Sequence, residues 1–363
     1  MHRHGSHLIH QRKWRWVSLL FLSLLPLMAL FHLVIWFGYT RTLFRVETGD
    51  LKRIGYLVGI ENGKERLQKD EPTSGYTVLF GGKLLNAKSV PTVVFGDSFS
   101  SSLATAISLN RQEPVGLVAV NWEQGNGLAQ IESWLKDDWF RTHGVHNIVV
   151  ERVEYAWLGT FGDEGDSSLN ISWAQALTGH IVPPYEKAHQ WTFANNGNFK
   201  VLFANVGYLF SPTAFNMTDT CVVQLTRPLF SGPDARTLLF YRGDFKGALT
   251  EKNQAQLEAA LQHLRTISEL CRQQGLNFQL IVPPVKSYLY YDWVERPFYP
   301  ESKLLETLQV RGKSSGYVDL KQLFHQKLAD GYQDLYYPDD AHWNFPAAQM
   351  AAEELTKAEA KRW

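Results

Sequence analysis

The chain has 363 residues, 45% of them apolar and 20% charged, with 27 Gly and 15 Pro. This excludes a disordered, collagen-like or disulfide-stapled chain and leaves ample length for a buried core. Its 36 basic and 36 acidic residues cancel, but Arg3, Arg12, Lys13 and Arg15 precede residue 40, where there is no acid. The remainder carries 32 basic against 36 acidic groups, a net −4. So mildly acidic a body argues against a nucleic-acid partner, and two cysteines exclude a multi-cysteine zinc site.

Residues 1–16 read as a cytoplasmic tail and 17–39 as a transmembrane anchor. The run from Val17 to Tyr39 holds no charge and is long enough to cross a ~30 Å hydrocarbon layer. Trp14, Trp16, Trp36 and Tyr39 sit near its ends, where amphipathic rings favour the interface. Four basic residues precede it, so the positive-inside bias places the N-terminus in the cytoplasm and the body outside. The run exceeds a 7–15 residue signal-peptide core, and no small-residue cleavage site closes it, which favours an uncleaved anchor. His2, His4, His7 and His10 read as a solvated tail, not a metal site. Outside the cytosol a Cys221–Cys271 disulfide is permitted, while the stripe Leu257, Leu261, Leu264, Ile267 and Cys271 equally fits a buried thiol. Asn170 and Asn216 head glycosylation sequons by pattern alone.

Residues 40–89 read as a polar, Gly-punctuated membrane-proximal segment. Gly81-Gly82-Lys83 is no phosphate loop, because the upstream Gly is missing and Leu84 replaces the magnesium-binding hydroxyl. A catalytic domain is expected over 90–363. Strands are predicted at 91–95, 116–120 and 147–150, with helices at 100–109 and 128–140. That rhythm implies right-handed βαβ units and a parallel sheet. Residues 155–247 interrupt it with an aromatic-rich insertion holding short β-like runs at 200–202, 221–225 and 237–241. A long helix follows, capped by Thr250 and stopped by Gly275, then a strand at 278–282, a helix at 302–310, a strand at 317–320 and a final helix from Asn344.

Two stretches carry chemistry. In Gly96-Asp97-Ser98, a serine follows a buried strand at a tight turn, at the carboxyl edge where parallel sheets place ligands. In Asp339-Asp340-Ala341-His342-Trp343-Asn344, an Asp just before a His allows the carboxylate to hold Nδ1–H, leaving Nε2 to accept the serine proton. A β-turn would bring Asp339 to His342, and an extended segment would bring Asp340; Asp340 is marginally preferred. The backbone amides of the serine turn and of the helix start point outward, ready to meet a developing oxyanion.

With these elements the sequence resembles the SGNH (GDSL-type) hydrolase superfamily, and more closely its AlgJ/AlgX-like and DltD-like extracytoplasmic O-acetyltransferases. Asp340-Ala341-His342-Trp343-Asn344 matches that branch's D-x-H-W-N element, Val282-Pro283-Pro284-Val285-Lys286 its strand-ending P-x-K stretch, and Glu151-Arg152 its third block. Three features depart from the pattern: the serine element precedes the Asp–His element, the third-block Asn is missing at 151–154, and two aspartates compete.

The resemblance implies an α/β, flavodoxin-like three-layer sandwich and no cofactor. It also implies an acetyl transfer to hydroxyls of an extracytoplasmic polysaccharide through acyl-Ser98, with Trp343 against the substrate and a second-block glycine after the second strand, Gly125 or Gly127, joining the Ser98 amide as oxyanion donor. Arg152 and Lys286 read either as binding acidic sugar or polarising a carbonyl, or as solvated or ion-paired charges. A membrane-bound O-acyltransferase is the implied acyl-donor partner, and the inner membrane and periplasm the implied location. An esterase of envelope glycans uses the same residues, and a tethered binding protein with a decayed triad stays open. The insertion aromatics Trp157, Trp173, Trp191, Phe193 and Tyr208 are either a sugar platform or core.

Overall fold

The computed structural model describes residues 5–45, 47–119, 127–137, 139–161, 173, 177, 196–210 and 218–360. Among them, strands β1 (Val78–Leu79), β2 (Thr92–Gly96), β3 (Val115–Ala119), β4 (Asn147–Glu151), β7 (Asn277–Ile281) and β8 (Tyr317–Val318) pair in parallel. Their spatial order is β1-β3-β2-β4-β7-β8, while β5 (Thr220–Gln224) and β6 (Thr237–Tyr241) form a separate antiparallel pair. In β2, β4 and β7 every residue is buried, as parallel strands covered on both faces require.

Alternation along the strands feeds two cores. Val93, Phe95, Ile148, Val150, Phe278 and Leu280 point to one, where the helix Gln254–Gln273 packs through Leu257, Leu261, Leu264, Ile267 and Cys271. Val94, Val149 and Ile281 point to the other, shared with the helices Ser100–Arg111, Leu320–Ala329 and Phe345–Ala360 and with the β5–β6 pair. Cys221 and Cys271 are buried on opposite faces of the sheet, and no disulfide joins them. Thr250 and Asn253 form a reciprocal capping box, and Gly275 takes the left-handed conformation (φ 72°) that ends the long helix.

Several expectations need correction. Lys200–Leu202 is not a strand: it lies in the helix Gly197–Phe210. The single helix expected over 128–140 is two, Gly127–Trp134 and Trp139–Thr142. Residues 40–89, expected as a separate segment, supply β1 to the sheet edge, so the α/β body begins before residue 90. At the N-terminus, Gly5–Ile35 is one helix, and Phe21–Leu43 is long and apolar enough to cross a membrane.

Candidate active site

The connections leaving β2 and β4 run in opposite directions across the sheet, which opens a crevice at their carboxyl ends. Ser98 stands in the turn after β2, exposed, two residues before the helix Ser100–Arg111. Asp97 fixes that turn. Its Oδ1 accepts the Phe99 N–H (3.0 Å), its Oδ2 accepts Arg152 Nη1 (3.1 Å) and the Val153 N–H (3.3 Å), and its own N–H donates to Glu151 Oε2 (3.0 Å). Among the described residues the Ser98 N–H meets no acceptor, so it remains available to an incoming oxygen.

His342 Nε2 lies 2.6 Å from Ser98 Oγ, although 244 residues separate them in the chain. Its Nδ1 lies 2.5 Å from Asp340 Oδ1, and its backbone N–H donates to the same oxygen (3.0 Å). The buried Phe99 ring packs on the imidazole at 4.7 Å. Asp339 is turned away: its carboxylate accepts the Gly49 and Lys64 N–H groups (3.1 and 2.7 Å). Of the two aspartates, Asp340 is the one whose carboxylate meets the imidazole.

Two residues that sequence reasoning missed complete the cluster, both from the membrane-proximal segment. Lys64 Nζ lies 2.7 Å from Asp340 Oδ2. Asp50 accepts the Ala341 N–H through Oδ1 (2.7 Å), places Oδ2 3.7 Å from His342 Nδ1, and donates its own N–H to Asp340 Oδ2 (3.0 Å). The segment approaches so closely because Gly49 and Gly63 lack side chains. A Cβ on Gly49 would lie 2.1 Å from the Asp339 carbonyl oxygen, and one on Gly63 2.7 Å from the Pro338 ring.

The charges shape one another. Burial alone would pull His342 down, but Asp340, its hydrogen bond and Asp50 outweigh that and bring it up to about 9. Burial alone would raise Asp340, but His342 and Lys64 hold it ionised well below the usual carboxylate range. Asp50 rises to about 6, first through burial and then through the negative charge of Asp340. Asp50, Asp340 and His342 lie close enough to chelate a cation. Here Asp340 faces the imidazole through one oxygen and the Lys64 ammonium through the other, which is a hydrogen-bonded acid–base pair and not an open metal cradle.

The other expected residues sit as follows. Arg152 binds Asp97 and donates Nε–H to Thr160 Oγ1 (3.0 Å), so it braces the serine turn. Lys286 and Trp343 do not form a substrate surface, which corrects that expectation. Lys286 is buried, and its ammonium donates to the Tyr337, Pro338 and Asp340 carbonyls at 2.9, 3.0 and 3.1 Å, holding the loop that carries Asp340; burial pulls it down to about 8. Trp343 is 1% exposed and donates to Ser102 Oγ (2.8 Å) from within the core. Glu151 is wholly buried, and burial with the neighbouring Asp97 raises it well above its ordinary value; its Oε2 accepts the Asp97 N–H and braces the same turn. Gly127 opens a helix and is buried, while Gly125 lies outside the described residues. Trp157 and Trp173 are core residues, Tyr208 is half-buried, and Trp191 and Phe193 lie outside the described residues.

Residues 237–362 match the family model described as the SGNH hydrolase-like domain of the acetyltransferase AlgX. No curated protein and no solved structure matches the chain. The match covers Lys286, Asp339, Asp340, His342 and Trp343, whereas Ser98 lies upstream of it. The 2.6 Å contact is what joins the serine to the matched region.

Proposed function

Taking as premise that this chain carries an SGNH hydrolase-like domain of the AlgX acetyltransferase kind, we propose that it is a membrane-anchored serine O-acetyltransferase acting on an extracytoplasmic polysaccharide. The observation that carries the reading is the line Ser98 Oγ–His342 Nε2–Asp340 at 2.6 and 2.5 Å, set at the sheet's crevice. The Ser98 proton passes to His342 Nε2 as Oγ bonds to the acyl carbon of the donor. Asp340 stabilises the imidazolium, and the Ser98 amide meets the oxyanion, with Gly125 or Gly127 as candidates for a second donor. The imidazolium returns its proton to the departing group. A sugar hydroxyl then gives its proton to His342 as it attacks the acyl-serine, forming the new ester and restoring Ser98.

Acetyl groups activated as thioesters are cytosolic, so an outward-facing enzyme needs a membrane partner to supply them. A membrane-bound O-acyltransferase fits that role. The proposed location is the inner membrane, with the domain on the periplasmic side. The test is labelling of the full-length protein with a fluorophosphonate, followed by incubation with a nitrophenyl acetate and acetyl-free glycans. Labelling of wild type and its loss in Ser98→Ala support the nucleophile, while unlabelled folded protein refutes it. Acetyl on glycan by mass spectrometry supports transfer; release of acetate alone supports an esterase.

A further inference from the structure

The helix Gly197–Phe210 is built inside out for a helix in water. Its buried side carries Asn198, Val201 and Ala204, together with the partly covered polar groups of Asn205 and Tyr208. Its other side leaves Leu202, Phe203, Val206, Leu209 and Phe210 exposed, the last two at 82% and 86%. These positions follow one helical stripe, and a contiguous apolar face of this kind marks a contact surface. The polar side chains are spent on the protein. Asn205 donates to the Tyr56 carbonyl (2.6 Å), and Tyr208 donates to the Thr220 carbonyl (2.6 Å).

The occupant of the apolar face follows from what the helix's first turn touches. Asn198, fully buried, accepts from Thr40 Oγ1 (2.8 Å) and pairs with His32 Nδ1 (2.8 Å), while Phe199 stacks on Phe31 at 4.7 Å. His32 lies midway between Phe21 and Leu43, the ends of the stretch able to cross a membrane. In that stretch a polar side chain needs a partner from a neighbouring helix, and Asn198 supplies it. The helix contains no acid, and Lys200 is its one charge.

We propose that Gly197–Phe210 is a second membrane element, entering the outer leaflet beside the anchor and presenting Leu202, Phe203, Val206, Leu209 and Phe210 to lipid acyl chains. This rests on the reading of the N-terminal helix as a membrane span. It seats the catalytic domain on the bilayer at two points, which fixes its orientation as a single flexible attachment would not.

The test is spin labelling of the full-length protein in nanodiscs of phosphatidylethanolamine and phosphatidylglycerol. Nitroxides are placed singly at Val206→Cys, Leu209→Cys and Phe210→Cys, with Leu25→Cys as the anchor reference and Val310→Cys, on the exposed body surface, as the water reference. The native Cys221 and Cys271 are buried and stay unlabelled. Relaxation by dissolved oxygen over a water-soluble nickel chelate is expected to be severalfold higher at 206, 209 and 210 than at 310, matching Leu25. Access to the nickel chelate at those three positions, with Leu25 still lipid-like, overturns the proposal. So does shielding from both reagents, which means that protein covers the face. If Leu25 itself is water-exposed, the anchor reading and this proposal fall together. Three separate positions keep the outcome decidable if one variant misfolds.

Discussion

Removing the second carboxylate beside the histidine should make Ser98 react faster with a fluorophosphonate at neutral pH. Asp50 Oδ2 stands 3.7 Å from His342 Nδ1, with 30% of the Asp50 side chain exposed. A unit charge pair at that distance is worth about 1 kcal/mol in water and about 4 kcal/mol at an effective dielectric of ~20. Partial exposure places this pair near the lower figure, which corresponds to about one pH unit in the ionisation of His342. The other charges facing the ring are Asp340 and Lys64, while Asp339 and Lys286 sit behind Asp340. With His342 up at about 9, roughly 1% of it is the neutral base at pH 7, and lowering the midpoint by one pH unit makes that roughly 10%. Asp50→Asn keeps an oxygen for the Ala341 N–H and removes the charge. Its rate of fluorophosphonate labelling should rise about tenfold at pH 7 and converge with wild type on the alkaline plateau. Lys64→Met removes a cation that opposes the imidazolium, so its profile should move the other way, toward alkali. Timed labelling across roughly pH 6 to 10 measures both midpoints. Coincident profiles, or an alkaline shift in Asp50→Asn, would refute the electrostatic assignment even if Ser98 labels normally.

Other outcomes follow from the same contacts. Asp340→Asn should cut the labelling rate by about a thousandfold or more, because the amide cannot neutralise the imidazolium, whereas Asp339→Asn should cost stability and leave most of the rate; equal losses in the two would count against Asp340 as the triad acid. Lys286→Met strands three buried carbonyls and should cost about 3 kcal/mol in urea unfolding, with an unchanged midpoint as the contrary result. Burial raises Glu154 to about 7, so the stability it contributes is fully present below about pH 4.5 and is lost as pH rises through 7. Glu154→Gln should therefore flatten the fall in melting temperature between about pH 5 and 8, by up to about 3 kcal/mol of stability, and an equally steep fall would remove Glu154 from the account.

The central strands and both ends of the triad were legible because their signals are local. Thr92–Gly96 is a short buried run ending at a glycine turn, and Asp340 and His342 are two residues apart. The choice between Asp339 and Asp340 was not legible, since it depends on which carboxylate the backbone of Gly49 and Lys64 engages. Asp50 and Lys64 carried no pattern at all: they reach Asp340 and Ala341 across more than 270 residues of chain. Lys286 and Trp343 stood as substrate-contact candidates, but both side chains are buried, a fact that only the packing of distant segments decides. Gly197–Phe210 was hidden for a different reason. Val201, Leu202 and Phe203 are consecutive, which reads as a short β-like run, and Asn198 and Asn205 fall on the protein side where the helical pattern of a soluble chain expects apolar residues.

Six residues separate Leu43, where the apolar stretch ends, from Asp50, which lies 3.7 Å from the His342 ring. Even fully drawn out, that link spans only about 25 Å. With the helix in a bilayer, the Ser98–His342 pair is leashed within a few nanometres of the headgroups. Under the proposed function, a polymer would have to come down to the membrane to be modified, and a donor handed across the lipid would have almost no distance to travel. Lengthening the leash would be felt at His342 before it was felt as freedom, because the same short link delivers the Asp50 carboxylate.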